Sequence, residues 1–171
     1  NGEGAGALTT TVMREIVVHA VNDPLGITTT GIPLSYTESD AAILVDADLT
    51  LADVDDAGMS GAMVQIFGNY FASEDVLAFI DQSGISGSWD ADTGILTLSG
   101  TASKADYQTA LRSITYHNTN HGNPSVANRT ILFSVTDGNT DGAGAGALTT
   151  AATRDMVMYA INDAPGMTTT G

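Results

Sequence analysis

Apolar and polar residues alternate along most of this chain, in short stretches separated by Gly, Asn, Asp and Ser. The clearest stretch is 129–137, in which Ile131, Phe133 and Val135 would face a core. Thr130, Ser134 and Thr136 would face water. Alternation with period two is typical of half-buried strands, and turn residues at short intervals favour two packed sheets. The pattern therefore predicts an all-β protein, an antiparallel β-sandwich.

The same alternation predicts further strands on both sides of this stretch. Residues 90–94 have turn composition, which predicts a hairpin between 86–89 and 95–99. The other predicted strands are 49–53, 62–67, 76–80, 94–99, 113–118 and a last long strand over 148–162. Residues 137–146, rich in Gly and Ala, are expected to form a mobile loop before that last strand.

One stretch departs from the β pattern. Ser103 and Asp106 have the spacing of a capping box, and Tyr107, Ala110 and Leu111 recur at helical spacing. The sequence therefore predicts one short helix over 103–111, lying across one end of the sandwich.

The beginning of the chain recurs near its end, because residues 1–31 align without gaps on residues 141–171. A period of 140 residues is the length of a domain, which indicates a tandem array.

We place the boundary at Asn22-Asp23 and its copy Asn162-Asp163. Residues 1–22 are then the last strand of a preceding repeat, 23–163 are a complete repeat, and 164–171 begin the next. A circular shift fits equally well, in which case the N-terminal strand belongs to the complete domain. An apolar strand without its sheet could also pair with another molecule as an edge strand.

Composition narrows the range of partners. Five basic and twenty acidic residues give a formal charge of −15, which argues against nucleic acid and anionic membranes and favours cations. There is no cysteine, so disulfides and thiolate metal sites are excluded. No stretch approaches the roughly 20 apolar residues of a membrane span, so membrane insertion is not expected.

The sequence has no nucleophile elbow, metalloprotease motif or phosphate loop, and we expect no enzymatic activity.

Several short motifs occur in a fixed order along the chain. They are Tyr36-Thr37-Glu38, Leu51-Ala52-Asp53-Val54-Asp55-Asp56, Tyr107-Gln108 with Ala110 to Tyr116 and Asn118, Val135-Thr136-Asp137-Gly138-Asn139, and Ala160-Ile161-Asn162-Asp163-Ala164-Pro165. In this order and at this spacing, they resemble the cadherin-like tandem repeats of giant bacterial surface proteins, including secreted adhesins of the RTX type. The resemblance covers essentially the whole repeat.

The resemblance implies a cadherin-like or Ig-like sandwich that acts as a spacer in a secreted or bacterial cell-surface adhesin. It also implies stiffening by calcium at the junctions between neighbouring repeats, in support of cell adhesion. The chain departs from the animal cadherin linker, since it has only Asn22-Asp23 and Asn162-Asp163 where that linker has a longer acidic motif. Three ions at each junction are therefore not expected.

Calcium takes six to eight oxygen ligands, so a site should gather acids from loops at one end of the sandwich. Asp53 and Asp55 lie two apart where a strand ends, and their carboxylates could point the same way. The predicted metal ligands are Asp23, Glu38, Asp53, Asp55, Asp137 and Asp163. The alternative is that they are turn residues on an acidic, solvated surface.

The main alternative function is a carbohydrate- or protein-binding module of an extracellular protein. Trp89, with Tyr70 and Phe71, would form a sugar-stacking platform if these rings were exposed and coplanar, although packing in the core or at a sheet edge explains them as well. His117 and His121 have a spacing that would suit zinc on a helix, but their surroundings predict a loop.

Overall fold

The computed structural model describes residues 4, 6, 9–19, 21–139 and 146–163. This part of the chain contains short and long strands and one helix. In chain order they are β1 (Gly26–Thr28), β2 (Leu34–Thr37), β3 (Ile43–Leu44), β4 (Thr50–Ala52), β5 (Gly58–Gly68), β6 (Asp75–Ala78), β7 (Ser86–Asp90), β8 (Ile95–Ser103), α1 (Lys104–Arg112), β9 (Thr115–Asn118), β10 (Arg129–Asp137) and β11 (Thr149–Tyr159).

The strands form one large sheet and two small ones. The large sheet has the order β2-β11-β10-β5-β8-β7, a second sheet has the order β3-β9-β6, and β1 pairs with β4. Within the described residues, β2 and β11 form the parallel pair, with Met156 opposite Leu34 and Tyr159 opposite Thr37. The other ladders are antiparallel.

The core lies between the six-stranded and the three-stranded sheets. Tyr36 of β2 meets Tyr116 of β9 edge to face, with ring centroids 5.0 Å apart, and the Tyr116 hydroxyl lies 3.7 Å from the sulfur of Met158 in β11. Both contacts cross from one sheet to the other. Val64 and Phe133 are fully buried from neighbouring strands of the large sheet. Alternate positions of the long strands β5, β8 and β10 thus supply the packed interior of a sandwich.

A buried ion cluster joins the two sheets at one end. Arg129 of β10, which is fully buried, makes a bidentate contact with Asp75 of β6 at 2.9 and 3.0 Å. Its Nη2 also lies 3.0 Å from Oε1 of Glu74. Asp75 accepts a further hydrogen bond of 2.6 Å from the Tyr116 hydroxyl, and burial beside this carboxylate raises the pKa of Tyr116. The charges are compensated inside the fold, as buried charges must be.

Helix α1 begins at a capped end. The Ser103 hydroxyl accepts a hydrogen bond from the Asp106 backbone N–H at 3.1 Å, a contact whose loss typically costs about 1 kcal/mol. Tyr107, Ala110 and Leu111 are buried against the sandwich. The helix over 103–111 that the sequence predicts is therefore confirmed, within one residue at each end.

The β-sandwich prediction is confirmed, and the strand over 129–137 has the predicted bounds with Ile131, Phe133 and Val135 buried. The hairpin of β7 and β8 is also confirmed. The short strands β1 and β3 were not expected, and the parallel β2–β11 pair departs from a purely antiparallel sandwich.

Two expectations are not decided by the described residues. Residues 9–19 form no strand here, so their assignment to a preceding repeat stays a prediction. Most of the loop expected over 137–146 lies outside the described residues.

Candidate metal centre

Strand directions divide the acidic residues between two ends of the sandwich. Strand β10 ends at Asp137, which lies opposite Met59 near the start of β5, and Thr136 lies opposite Thr149 at the start of β11. The loop 53–57 leads into β5 at this same end. We call this end, with residues 22–23, 53–57 and 137–139, the entry pole.

The incoming segment is tied to the entry pole by a side chain. Asn22 is 4% exposed, and its Nδ2 donates hydrogen bonds to Oδ2 of Asp137 at 3.1 Å and to the Gly146 carbonyl at 3.5 Å. The other oxygen of Asp137 accepts from the Leu148 backbone N–H at 3.0 Å. Asp137 is fully buried, so this carboxylate fixes both Asn22 and the start of β11.

The next residue makes a second tie. The Asp23 backbone N–H donates to Oδ2 of Asp55 at 2.9 Å. Asp53 in turn accepts two backbone hydrogen bonds at its Oδ1, from Asp55 at 3.1 Å and from Asp56 at 2.9 Å. The loop therefore folds around the Asp53 carboxylate and presents Asp55 to the incoming chain.

Asp53 and Asp55 perturb each other. Burial raises the pKa of Asp53, but the backbone hydrogen bonds from Asp56 and Asp55 outweigh it, so the net pKa is lowered. For Asp55 the hydrogen bond from Asp23 lowers the pKa, whereas burial and the nearby Asp53 carboxyl raise it, and the net pKa is raised. The Asp53 carboxylate thus makes ionisation of Asp55 more costly, and a bound cation would relieve this cost.

Several oxygens at this pole have no hydrogen-bond donor. They are Oδ1 of Asn22, Oδ2 of Asp53, Oδ1 of Asp55 and Oδ1 of Asn139. Buried polar atoms are nearly always paired, so this concentration needs an explanation such as an ion. The cation beside them is Lys104, whose Nζ donates to the Asp53 backbone carbonyl at 2.9 Å. Amide and carboxylate oxygens fit calcium and do not fit a soft transition metal.

The donor set is partial. Within the described ranges, no three Asp, Glu, His or Cys side chains are grouped as a ready metal site. The entry pole thus supplies a few oxygens from one repeat, and backbone carbonyls, water or a second repeat would have to supply the others.

The structure places Glu38 at the opposite end, which we call the exit pole and define by residues 38 and 159–163. The Glu38 N–H donates to the Tyr159 carbonyl at 2.7 Å, and its Oε2 accepts from the Ile161 N–H at 2.9 Å. Glu38 is 4% exposed and its Oε1 has no donor. Asp163 is exposed, on the segment that Glu38 holds. Of the residues predicted as ligands, Asp23, Asp53, Asp55 and Asp137 lie at the entry pole without forming one cluster, and Glu38 and Asp163 lie at the other pole.

Sequence reasoning missed the two amide side chains at the entry pole. Asn22 lies next to a predicted ligand and recurs as Asn162, which was an available signal. Asn139 has a positive φ of 45°, and its neighbour Gly138 donates to the Gly58 carbonyl at 3.1 Å. No sequence pattern shows that this turn reaches the start of β5.

The other candidate sites are less developed. Tyr70 and Trp89 are nearly perpendicular, at 82°, and Trp89 is half-buried, so the flat aromatic platform does not form. Phe71 covers the buried guanidinium of Arg129 at 4.7 Å. The rings of His117 and His121 lie 5.7 Å apart and are tilted by 51°, on a strand and the loop that follows it.

The fold is a β-sandwich in which Asn22 and Ile161 are held at opposite ends. The chain is 34% identical over 134 residues to Halomucin from Haloquadratum walsbyi, a match that covers 75% of this chain and 2% of that protein. No protein-family model matches this chain. Among solved structures, AggA, the major subunit of aggregative adherence fimbriae type I from Escherichia coli, has 15% identity and a TM-score of 0.29 over 85% of this chain and 100% of that one. That superposition is too loose to support an argument.

Among the described residues, no helix has both the length and the apolar character needed to cross a membrane.

Proposed function

We propose that this chain is a spacer repeat of a large secreted or cell-surface protein, joined end to end with its neighbours and stiffened by calcium at each junction. The observation that supports a spacer most directly is the position of the linkers. Asn22 is held at Asp137, whereas Ile161 is held at Glu38, and β11 runs from the first end to the second. At about 3.4 Å per residue, each repeat would extend an array by several nanometres.

The match to Halomucin is compatible with this role. An alignment that spans 134 residues and only 2% of a relative is the size of one module within a very long protein. The location outside the cell and a role in adhesion are part of the proposal. The acidic composition, with a charge of −15, would keep such a chain soluble and attract cations.

The entry pole would hold calcium through Asp53, Asp55 and Asn22, each of which has one side-chain oxygen without a donor. A neighbouring repeat would complete the site from its exit pole, where the residue equivalent to Glu38 presents a buried oxygen that also lacks a donor. The ion would supply charge compensation to oxygens on both repeats. An ion shared in this way would restrict bending between repeats and would stabilise each fold by mass action.

Thermal unfolding in EDTA, in millimolar calcium and in millimolar magnesium tests the proposal. At a calcium concentration of about 100 times Kd, mass action predicts about 2.7 kcal/mol of stabilisation, or roughly 5–10 °C in Tm for a domain of this size. Asp53→Asn and Asp55→Asn should remove most of this shift. Asp92→Asn is the matched control, because Asp92 is exposed in the turn between β7 and β8.

Two results would count against the calcium site. A Tm that does not depend on calcium would leave a metal-free spacer. An equal loss of the calcium response in Asp92→Asn would mean that the acidic surface as a whole, and not the entry pole, responds to the ion.

A further inference from the structure

The segment 9–19 presents an apolar surface that nothing in the described part of this chain covers. It forms neither strand nor helix, and Val12, Ile16 and Val18 are 87%, 81% and 86% exposed. Soluble monomers rarely leave such a run of large apolar side chains in water. The segment therefore needs a partner surface.

The segment is a copy of β11, displaced by 140 residues. Ile16 and Val18 correspond to Met156 and Met158, which are 0% and 5% exposed in the core. The apolar pattern is thus kept at the two positions where β11 is buried.

The polar anchor of β11 is kept as well. Arg14 corresponds to Arg154, whose Nη1 donates to the Val45 carbonyl at 2.6 Å and lies 3.4 Å from Oδ1 of Asp46. Asp46 is fully buried and accepts two hydrogen bonds from Thr30, at 2.8 and 2.7 Å. Arg14 occupies the equivalent position in residues 9–19, but it is exposed and lacks the contacts that Arg154 makes with Val45 and Asp46.

In the large sheet, β11 has a paired strand on each side. It pairs antiparallel with β10 from Thr149 to Met156 and parallel with β2 from Met156 to Tyr159. Within this chain β11 fills that place, so residues 9–19 cannot enter it without displacing β11.

We propose that residues 9–19 are an interaction strand whose partner is a second copy of this domain, the one that precedes it in the array. The strand inserts between the partner's copies of β10 and β2, with Ile16 and Val18 in its core and Arg14 on its buried aspartate. This inference rests on the tandem arrangement of the proposed function and is independent of calcium.

The test transfers the strand within the full chain. An in-register variant replaces β11 by the sequence of residues 9–19, through Ala151→Thr, Ala152→Val, Thr153→Met, Asp155→Glu, Met156→Ile, Met158→Val and Tyr159→His. We expect it to unfold cooperatively with a Tm within about 5 °C of the parent chain in EDTA, since cores tolerate apolar replacements of similar volume.

The matched control places the sequence of residues 10–20 at positions 149–159. This shift by one residue keeps nearly the same composition but turns the buried face outward and moves the arginine away from position 154. We expect this variant to lose its cooperative transition or to melt at least about 10 °C lower. If the two variants melt at the same temperature, or if neither folds, the proposal is wrong. Because both are compared in EDTA, this outcome is separate from failure of the calcium proposal.

Discussion

The side chain of Asn22 donates a 3.1 Å hydrogen bond to the buried carboxylate of Asp137, which lies 115 positions further along the chain. This contact ties residue 22 to the end of β10. Oδ1 of the same amide is buried and has no donor. One hydrogen bond thus connects the stability of this segment with the position of a candidate ligand.

A double-mutant cycle measures this connection. Asn22→Ala should destabilise the chain by about 1–3 kcal/mol, because it leaves a buried oxygen of Asp137 without its donor. Asp137→Ala should cost at least as much, since Asp137 also accepts from Leu148. Urea denaturation in EDTA gives the two single costs and the double cost. We expect a coupling energy of about 1 kcal/mol or more, whereas strictly additive costs would contradict the contact.

Removal of Arg129 should be among the most damaging substitutions in the fold. Arg129→Ala leaves Glu74 and Asp75 buried without their countercharge, and we expect a loss of about 3–5 kcal/mol in denaturant unfolding. Arg129→Lys keeps the charge but loses the bidentate geometry, so its cost should be intermediate. Arg112→Ala is the control, because Arg112 is half-buried and makes one hydrogen bond of 2.7 Å, to the Leu49 carbonyl. A cost for Arg129→Ala as small as that of Arg112→Ala would contradict the structural role of the cluster.

The same cluster predicts how stability depends on pH. Burial raises the pKa of Glu74. Hydrogen bonds from Asn120, Ser125 and Asn118 and the charge of Arg129 lower this pKa by more than burial raises it, so the net pKa is lowered. A lowered folded-state pKa gives stability that is present above the unfolded pKa of about 4.3 and is lost as the pH falls through the folded pKa. The Tm should therefore fall between pH 5 and pH 3.

Glu74→Gln isolates this contribution. The variant should start from a lower Tm at pH 5 and lose less of it on acidification than the parent chain. Glu15→Gln is the matched control, since Glu15 lies exposed in the 9–19 segment. If Glu74→Gln and Glu15→Gln have the same slope between pH 5 and pH 3, Glu74 does not supply the acid sensitivity.

The fold could be predicted because the residues that determine each element lie close together in the sequence. Alternation at Ile131, Phe133 and Val135 fixes which face of β10 is buried, and the cap at Ser103 fixes where α1 begins. The bounds of these two elements follow from neighbours within a few residues. The sequence pattern was weaker for β1 and β3, which have three and two residues and too few positions to show a period.

The site could be predicted only in part. The spacing of Asp53 and Asp55 indicates a shared loop, but the pole at which Glu38 lies depends on the parallel pairing of β2 with β11. That pairing joins segments more than 100 residues apart. The pattern places Arg129 in a strand, yet nothing near it in the sequence indicates that a charged residue would be fully buried. Its partners are Asp75, at the start of β6, and Glu74, just before that strand, and they lie 54 and 55 positions away.

The parallel pairing of β2 with β11 has a mechanical consequence. Both strands run from the entry pole to the exit pole, and Asn22 and Ile161 are held at those two ends, where linkers would be attached in the proposed array. Tension along an array would therefore pull the two strands in opposite directions along their length. Their ladder from Leu34 to Thr37 would be loaded in shear. Its hydrogen bonds would then share the force and would not break one after another.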